Sequence, residues 1–114
     1  MKLYSEDRMK EIRKSFEEDV LQRPHVRTKR MFGCPSYTVK GRLFSFLVTD
    51  GIVFTKLDED QRVDALSVPG AQFFDHNQRV VKKWVWIPLN NIEALDTIQA
   101  FLDRSYENAM VDVE

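Results

Sequence analysis

Apolar residues near the start of the chain recur at every third or fourth position, which is the spacing of one helix face. They are Met9, Ile12, Phe16 and Val20. Ser5 precedes them as a predicted N-cap, and Pro24 follows where a helix cannot continue. The pattern predicts an amphipathic helix over residues 6–22 whose apolar face is buried.

The segment after residue 25 has the period of β-strands instead. Phe44, Phe46 and Val48 occupy every second position, which places them on one face of an extended chain. Lys40-Gly41 and Asp50-Gly51 punctuate this segment, and Asp50-Gly51 supplies two residues that tolerate the positive φ angles of a tight hairpin turn. We therefore predict a β-meander with strands at residues 26–32, 37–40, 42–49 and 52–56.

A second helix and two further strands are predicted next. Asp58 and Gln61 have the spacing of a capping box and begin a short helix that Pro69-Gly70 ends. The two strands are predicted at residues 72–75 and 81–88, joined by a loop around residues 76–78.

A third helix is predicted at the end of the sequence. Asn90 with Glu93 has the spacing of a helix cap, and apolar residues recur after it at helical intervals. The buried stripe is expected to be Ile92, Leu95, Ile98, Leu102 and Tyr106.

The order of one helix, four strands, one helix, two strands and one helix predicts an α+β fold. Hairpin-length turns cannot hold parallel crossovers, so the sheet is expected to be mainly antiparallel. The three helices are expected to pack on one face of it. The 114 residues suffice for one core, and no linker divides them, so a single domain over residues 1–114 is predicted.

The composition is that of a soluble protein, with 43% hydrophobic and 31% charged residues. No apolar run approaches the roughly 18 residues of a membrane-spanning helix. The charged N-terminus lacks the apolar segment of a secretory signal. Cys34 is the only cysteine, which excludes an internal disulfide and agrees with a reducing compartment. A cytoplasmic location and no membrane contact are predicted.

Charge is segregated along the chain although the net charge is only −1. No acidic residue occurs between Asp19 and Asp50, a stretch whose basic residues are Arg23, Arg27, Lys29, Arg30, Lys40 and Arg42. A second basic group is formed by Arg79, Lys82 and Lys83. If these groups met in space they would form a face that attracts anions.

Several residues together resemble the N-terminal domain of the TfoX (Sxy) family, bacterial proteins tied to regulation of competence for DNA uptake. They are Lys29-Arg30-Met31-Phe32-Gly33, Gly41, Phe44, Asp50, Phe54, Lys56 and Leu57. The resemblance continues more weakly through Gly70, Phe73-Phe74, the segment 84–88 and a helix ending near Ala109, so it covers nearly the whole chain. It implies a stand-alone TfoX N-terminal-like domain with a regulatory role and no catalytic motif.

Two features of this sequence depart from that family. Cys34 and Pro35 stand where a second glycine is expected after Gly33. The residues after Ala109 are too few for the helix-hairpin-helix domain that TfoX itself carries. No DNA-related role of that second domain is transferred to this chain.

Cys34 is the first candidate for chemistry, because the neighbouring Lys29 and Arg30 would lower the pKa of its thiol. The histidines, His25 and His76, are not placed locally to act as its base. A structural cysteine is predicted, with a redox-responsive or small-molecule site at Cys34 as an alternative. No catalytic residue is nominated.

Metal binding is not predicted either. Cys34, His25, His76 and Asp75 are the residues that could be nominated as ligands, and no pair of them has the short spacing of zinc sites. No metal and no cofactor are expected.

Trp84 and Trp86 share one face of a predicted strand, with Val85 and Ile87 on the other. One face packs on the helices. The other faces solvent, contacts a second chain, or forms a platform on which bases or a ligand stack. The residues nominated for an interaction surface are Arg27, Lys29, Arg30, Tyr37, Trp84 and Trp86.

The sequence is therefore interpreted as a non-enzymatic regulatory or protein-interaction module that binds a protein partner or forms a homodimer. The first alternative is a nucleic-acid-binding domain that uses the basic segment 23–42 on phosphates. The neutral overall charge weighs against it, because such domains tend to be basic.

Overall fold

The computed structural model describes residues 3–76 and 79–111. The predicted loop around residues 76–78 lies partly outside them. Helices and strands follow one another as α1 (Glu6–Val20), β1 (Val26–Met31), β2 (Cys34–Val39), β3 (Arg42–Val48), β4 (Gly51–Phe54), α2 (Glu59–Leu66), β5 (Gln72–His76), β6 (Arg79–Pro88), α3 (Ala94–Thr97) and α4 (Gln99–Val111).

The strands form one six-stranded sheet with the order β1-β2-β3-β4-β6-β5. Every neighbouring pair is antiparallel, so the predicted α+β class with an antiparallel sheet is confirmed. β1 to β4 pair in chain order as a meander. β6 then pairs with β4, which leaves β5 at the far edge.

Two-residue turns join the first four strands. Lys40 and Gly41 both adopt positive φ, 53° and 81°, and Phe32 and Gly33 do the same at 56° and 75°. Because the turn before β2 is so short, pairing begins at once with Met31 opposite Cys34. The strand predicted to begin at residue 37 therefore begins at Cys34.

The third turn corrects the role predicted for Asp50-Gly51. Val48 pairs with Gly51, so the loop is Thr49-Asp50 and Gly51 belongs to β4. Asp50 takes the positive φ, 63°, and Gly51 does not adopt one. A different constraint requires glycine at position 51, as described below.

One layer of helices covers one face of the sheet. The ring of Phe16 on α1 meets that of Tyr37 on β2 at 5.1 Å, and the predicted apolar face of α1 is buried throughout. On α4, the hydroxyl of Ser105 donates to the Phe44 carbonyl at 2.7 Å. Ion pairs join α4 to the segment after α1 and to α2: Arg23 pairs with Asp103 at 2.7 Å, and Arg104 pairs with Asp64 at 3.4 Å.

One of the three predicted helix caps is present as expected, and the other two differ from the prediction. The capping box of Asp58 and Gln61 is present at the start of α2. Ser5 occupies the N-cap of α1, but its side chain makes no cap hydrogen bond. Near the last helix, the side chain of Asn91 accepts from the Ala94 amide at 2.9 Å, where Asn90 with Glu93 was expected to cap.

The single helix predicted at the end of the sequence is divided into α3 and α4. Because regular helix begins only at Ala94, Ile92 lies outside it and is 47% exposed, so its predicted burial is wrong. Leu95, Ile98 and Leu102 are buried, and Tyr106 is partly buried against the core.

The sheet is strongly curved. In a flat sheet of six strands the two edges lie about 24 Å apart, since neighbouring strands are about 4.8 Å apart. Here the ring of Phe32, between β1 and β2, lies 5.7 Å from that of His76 on β5, the opposite edge strand. The face opposite the helices is therefore concave, and two diagonally opposite corners of the sheet meet over it.

Candidate functional site

The concave face carries a group of aromatic rings that we call the aromatic face. Phe46, Val53 and Trp86 lie directly opposite one another on β3, β4 and β6, and so share this side of the sheet. The rings of the aromatic face are Phe32, Phe46, Phe74, His76, Trp84 and Trp86.

Five of these rings, those of Phe32, Phe46, Phe74, His76 and Trp84, contact one another across the face. Phe46 meets Phe74 at 5.4 Å and Trp84 at 5.6 Å, both edge to face. Phe74 stacks on His76 at 6.3 Å, and His76 meets Phe32. Edge-to-face and offset pairs of this kind are the arrangements that aromatic rings prefer, so the face is a packed assembly of rings.

The aromatic face is buried at its centre and open at its rim. Phe46 is fully buried and Phe74 is 5% exposed, whereas Phe32 is 57% exposed. Trp84 and Trp86 are half-buried. A pocket of about 210 Å³ opens beside Phe74 and Trp86 and reaches Leu3 and Asp75. Large apolar side chains are thus available to a partner at the rim.

Trp86 lies directly against the backbone of Gly51. A Cβ atom at position 51 would be 2.0 Å from Nε1 of the indole, far inside van der Waals contact. The absence of a side chain at Gly51 therefore allows the indole of Trp86 to lie against the backbone of β4. This is the physical reason for glycine here, since its φ angle is ordinary.

The basic residues of β1 border this face at one edge of the sheet. Lys29 lies opposite Ser36, which lies opposite Phe46, so Lys29 and Arg27 are on the concave side. Arg30 is on the other side, near α1, and donates to the Gly33 carbonyl at 2.9 Å. All three side chains are exposed. Of the nominated surface residues, Arg27, Lys29, Trp84 and Trp86 thus share one face.

Tyr37 does not belong to this surface, which corrects its nomination. It is fully buried on the helical side, where its hydroxyl donates to Glu17 at 2.7 Å. Burial and this hydrogen bond raise the pKa of the phenol well above its usual value. The alternation of the meander could not reveal this, because both faces of β2 are buried.

Cys34 is fully buried, and its thiol lies 3.7 Å from the Phe32 carbonyl oxygen. Burial raises the pKa of the thiol to about 11, and the opposing effect of Arg30 is smaller. Arg30 lowers this pKa as expected, but burial outweighs it, so the net shift is upward. Near neutral pH the sulfur is a protonated thiol and a poor nucleophile.

The second basic group is separated from the first. Three strands lie between β1 and β6, and Lys83 lines a pocket with Leu57, Arg62 and Asn108 beside α2 and α4. Lys29 and Lys83 therefore do not form one continuous basic surface.

Within residues 3–76 and 79–111, no group of three or more His, Cys, Asp or Glu side chains could hold a metal ion. In the same part of the chain no helix is long and apolar enough to cross a membrane.

Sequence reasoning missed half of the aromatic face, namely Phe32, Phe74 and His76. The signal was available for two of them, because residues 72, 74 and 76 share one side of a strand when read with period two. Phe32 could not be placed, because its position depends on the curvature that brings the β1–β2 turn to β5.

A polar network missed from sequence ties the N-terminal segment to α1. The carboxylate of Glu6 accepts from Arg13 Nε at 2.9 Å and from the Tyr4 hydroxyl at 2.7 Å. Arg13 also pairs with Glu17 at 3.1 Å. The hydrogen bonds from Arg13 and Tyr4 lower the pKa of Glu6 to about 2.

This shift predicts a specific acid dependence of stability. The ordinary pKa of glutamate is 4.5, so ionised Glu6 contributes its full stabilisation above that pH and loses it as pH falls toward about 2. We expect thermal unfolding of Glu6→Gln to decline less over this interval than that of the wild type. Glu11→Gln, at an exposed position on the same helix, is the control and should follow the wild type. Parallel curves for all three proteins would contradict the role of Glu6.

Comparison of the chain with models of protein families, with curated proteins and with solved structures finds no significant match.

Proposed function

We propose that this protein is a non-enzymatic regulatory module that acts in the cytoplasm by binding another protein chain. The observation that carries the proposal is the aromatic face, whose rings are packed at the centre and exposed at the rim. Aromatic side chains that are held rigidly and only partly buried are typical of the residues that dominate protein interfaces. The likeness to the TfoX N-terminal domain supports a regulatory role of this kind.

The environment of Cys34 agrees better with a binding function than with a redox function. The thiol of Cys34 is buried and has a raised pKa. It thus lacks the exposure and the thiolate character of a redox-responsive cysteine. The rings of the aromatic face are anchored on three strands and on the β1–β2 turn. A rigid surface loses little conformational entropy on association.

A second copy of the chain is the first partner to test, and we predict a homodimer. Light scattering at tens of micromolar is expected to give twice the chain mass of 13.4 kDa. Phe32→Asn removes the most exposed ring and keeps a residue that tolerates the positive φ at this position, so it should shift the mass toward the monomer. Val63→Asn, at a 63% exposed position on α2, is the matched control and should not.

A monomeric wild type would remove the homodimer. If its tryptophan emission also showed both indoles shielded from a soluble quencher, the premise of an accessible aromatic face would fail as well. A monomer with quenchable tryptophans would instead direct the search to a different protein partner.

A nucleic-acid partner is favoured by one observation, the run of exposed basic residues on β1. The separation of β1 from Lys82 and Lys83 weighs against it. Fluorescence anisotropy with labelled DNA and RNA near physiological salt is expected to show no binding. Micromolar affinity with log K falling steeply against log salt would overturn the leading proposal, because that slope reports release of counterions from phosphates.

A further inference from the structure

β1 is an edge strand whose outer side pairs with no other strand in the described part of the sheet. It pairs only with β2, from Val26 opposite Val39 to Met31 opposite Cys34. The outer side of an edge strand presents backbone N–H and C=O groups that can pair with another extended chain. A strand of this length offers a template of about 20 Å.

Three of the four exposed side chains on this template are cationic, and none of the three forms an ion pair within the described ranges. Arg27 and Lys29 form no ion pair with any residue in the described ranges, and Arg30 hydrogen-bonds only to the carbonyl oxygen of Gly33 among those residues. Neither β1 nor β2 contains an acidic residue. By contrast, the arginines that pair with carboxylates are Arg8, Arg13, Arg23 and Arg104.

A groove of about 300 Å³ lies beside the same strand, between β1 and α1. Leu21 and Pro35 give it apolar walls, and Lys29 and Arg30 give it positive charge. Arg13 and Glu17 also line it, but they pair with each other at 3.1 Å. A strand added outside β1 would direct alternate side chains toward this groove and toward the concave face.

We propose that β1 binds an extended acidic segment of a partner protein as an added strand of the sheet. Arg27 and Lys29 are two residues apart on one side, about 7 Å along the strand. Carboxylates at alternate positions of the added strand would match that spacing, while a residue between them would face Arg30 and the groove. The proposal rests on the proposed function only in treating the chain as an interaction module, since it uses a different surface from the aromatic face.

The same charges exclude a second copy as the occupant. Two β1 strands paired edge to edge would bring Arg27, Lys29 and Arg30 of both chains together, and like charges directly opposite each other destabilise a strand pair. Basic residues on an edge strand also prevent such pairing in general. An acidic strand avoids this repulsion and gains the cross-strand attraction.

The test is fluorescence anisotropy with a labelled peptide in which glutamate alternates with valine. We expect micromolar binding by the wild type and about tenfold weaker binding by the double variant Arg27→Glu with Lys29→Glu. Lys10→Glu with Lys14→Glu makes the same change of charge at exposed positions of α1 and should bind as the wild type does. A peptide with N-methyl groups on alternate amides keeps its charge but loses ladder hydrogen bonds, and should not bind.

Three results would overturn the proposal. Equal binding of the N-methylated peptide would mean charge attraction without strand addition. Equal binding of a peptide with lysine in place of glutamate would remove the charge complementarity. No binding by the wild type would mean that the cations of β1 serve only to prevent unwanted pairing at the edge of the sheet.

The peptide arms use the wild-type protein, so they decide the matter even if the double variant fails to fold. Light scattering on the same samples reports the homodimer separately. Peptide binding by a monomer would sustain this inference and remove the homodimer, and a dimer that ignores the peptide would do the reverse.

Discussion

Replacing Phe46 by alanine is expected to lower the free energy of unfolding by about 3–5 kcal/mol, the usual cost of truncating a buried phenylalanine. Phe46 is fully buried at the centre of the aromatic face, where it meets the rings of both Phe74 and Trp84. Its removal would leave a cavity bounded by rings that are fixed on strands and cannot collapse into it. Chemical denaturation followed by circular dichroism measures the loss.

Phe44→Ala is the matched comparison. Phe44 is also fully buried, but its ring meets Tyr106 of α4 at 5.7 Å on the helical side. The expectation that Phe44 and Phe46 share one face is therefore wrong, because the register between β2 and β3 shifts by one residue at Phe44. We expect a similar loss of stability from both variants, with a change in native tryptophan emission only for Phe46→Ala, because only that ring contacts Trp84. If both substitutions left unfolding unchanged, the core assigned to β3 would be wrong.

Valine at position 51 is expected to destabilise the fold by about 3 kcal/mol, at the upper end of the cost of overpacking. A valine side chain would overlap the indole of Trp86, since even its Cβ would lie 2.0 Å from Nε1. Either Trp86 must leave its place on the aromatic face or β4 must separate from β6. Thermal unfolding measures the loss, and tryptophan emission should shift to longer wavelength as the indole becomes wetter.

The Trp86→Ala background isolates the cause. Without the indole, Gly51→Val should be neutral or stabilising, because valine is favoured over glycine in strands. Gly41→Asn is a further control, since position 41 is open and its φ of 81° is one that asparagine tolerates. A Gly51→Val cost that persists in the Trp86→Ala background would mean that some other contact requires glycine there.

These two variants also bear on function. The contact between Gly51 and Trp86 keeps the indole against the backbone of β4, and the ring of Phe46 packs edge to face with that of Trp84. A Gly51→Val protein that still folds, but whose indole is displaced, should therefore dimerise less tightly than the wild type. The basic edge on β1 is on the far side of β2 and β3 and should still bind the acidic peptide.

Features set by near neighbours in the chain could be predicted from the sequence. The stripe on α1, the capping box of Asp58 and Gln61, and the turn at Lys40-Gly41 depend on residues a few positions apart. The opposite orientations of Trp84 and Val85 follow in the same way from the period of an extended chain. Local geometry decides each of them, whatever the rest of the fold does.

The tertiary structure decided which of these patterns would be buried, and by what. Tyr37 alternates as a surface residue would, yet α1 covers it, and Ile92 continues a helical stripe but precedes the helix. The sequence predicts a turn role for Gly51. The contact with Trp86, which is distant in sequence, is what requires glycine at this position. The aromatic face and the isolation of β1 arise from strand order and curvature. These are properties of long-range pairing, which the local period of the chain does not encode.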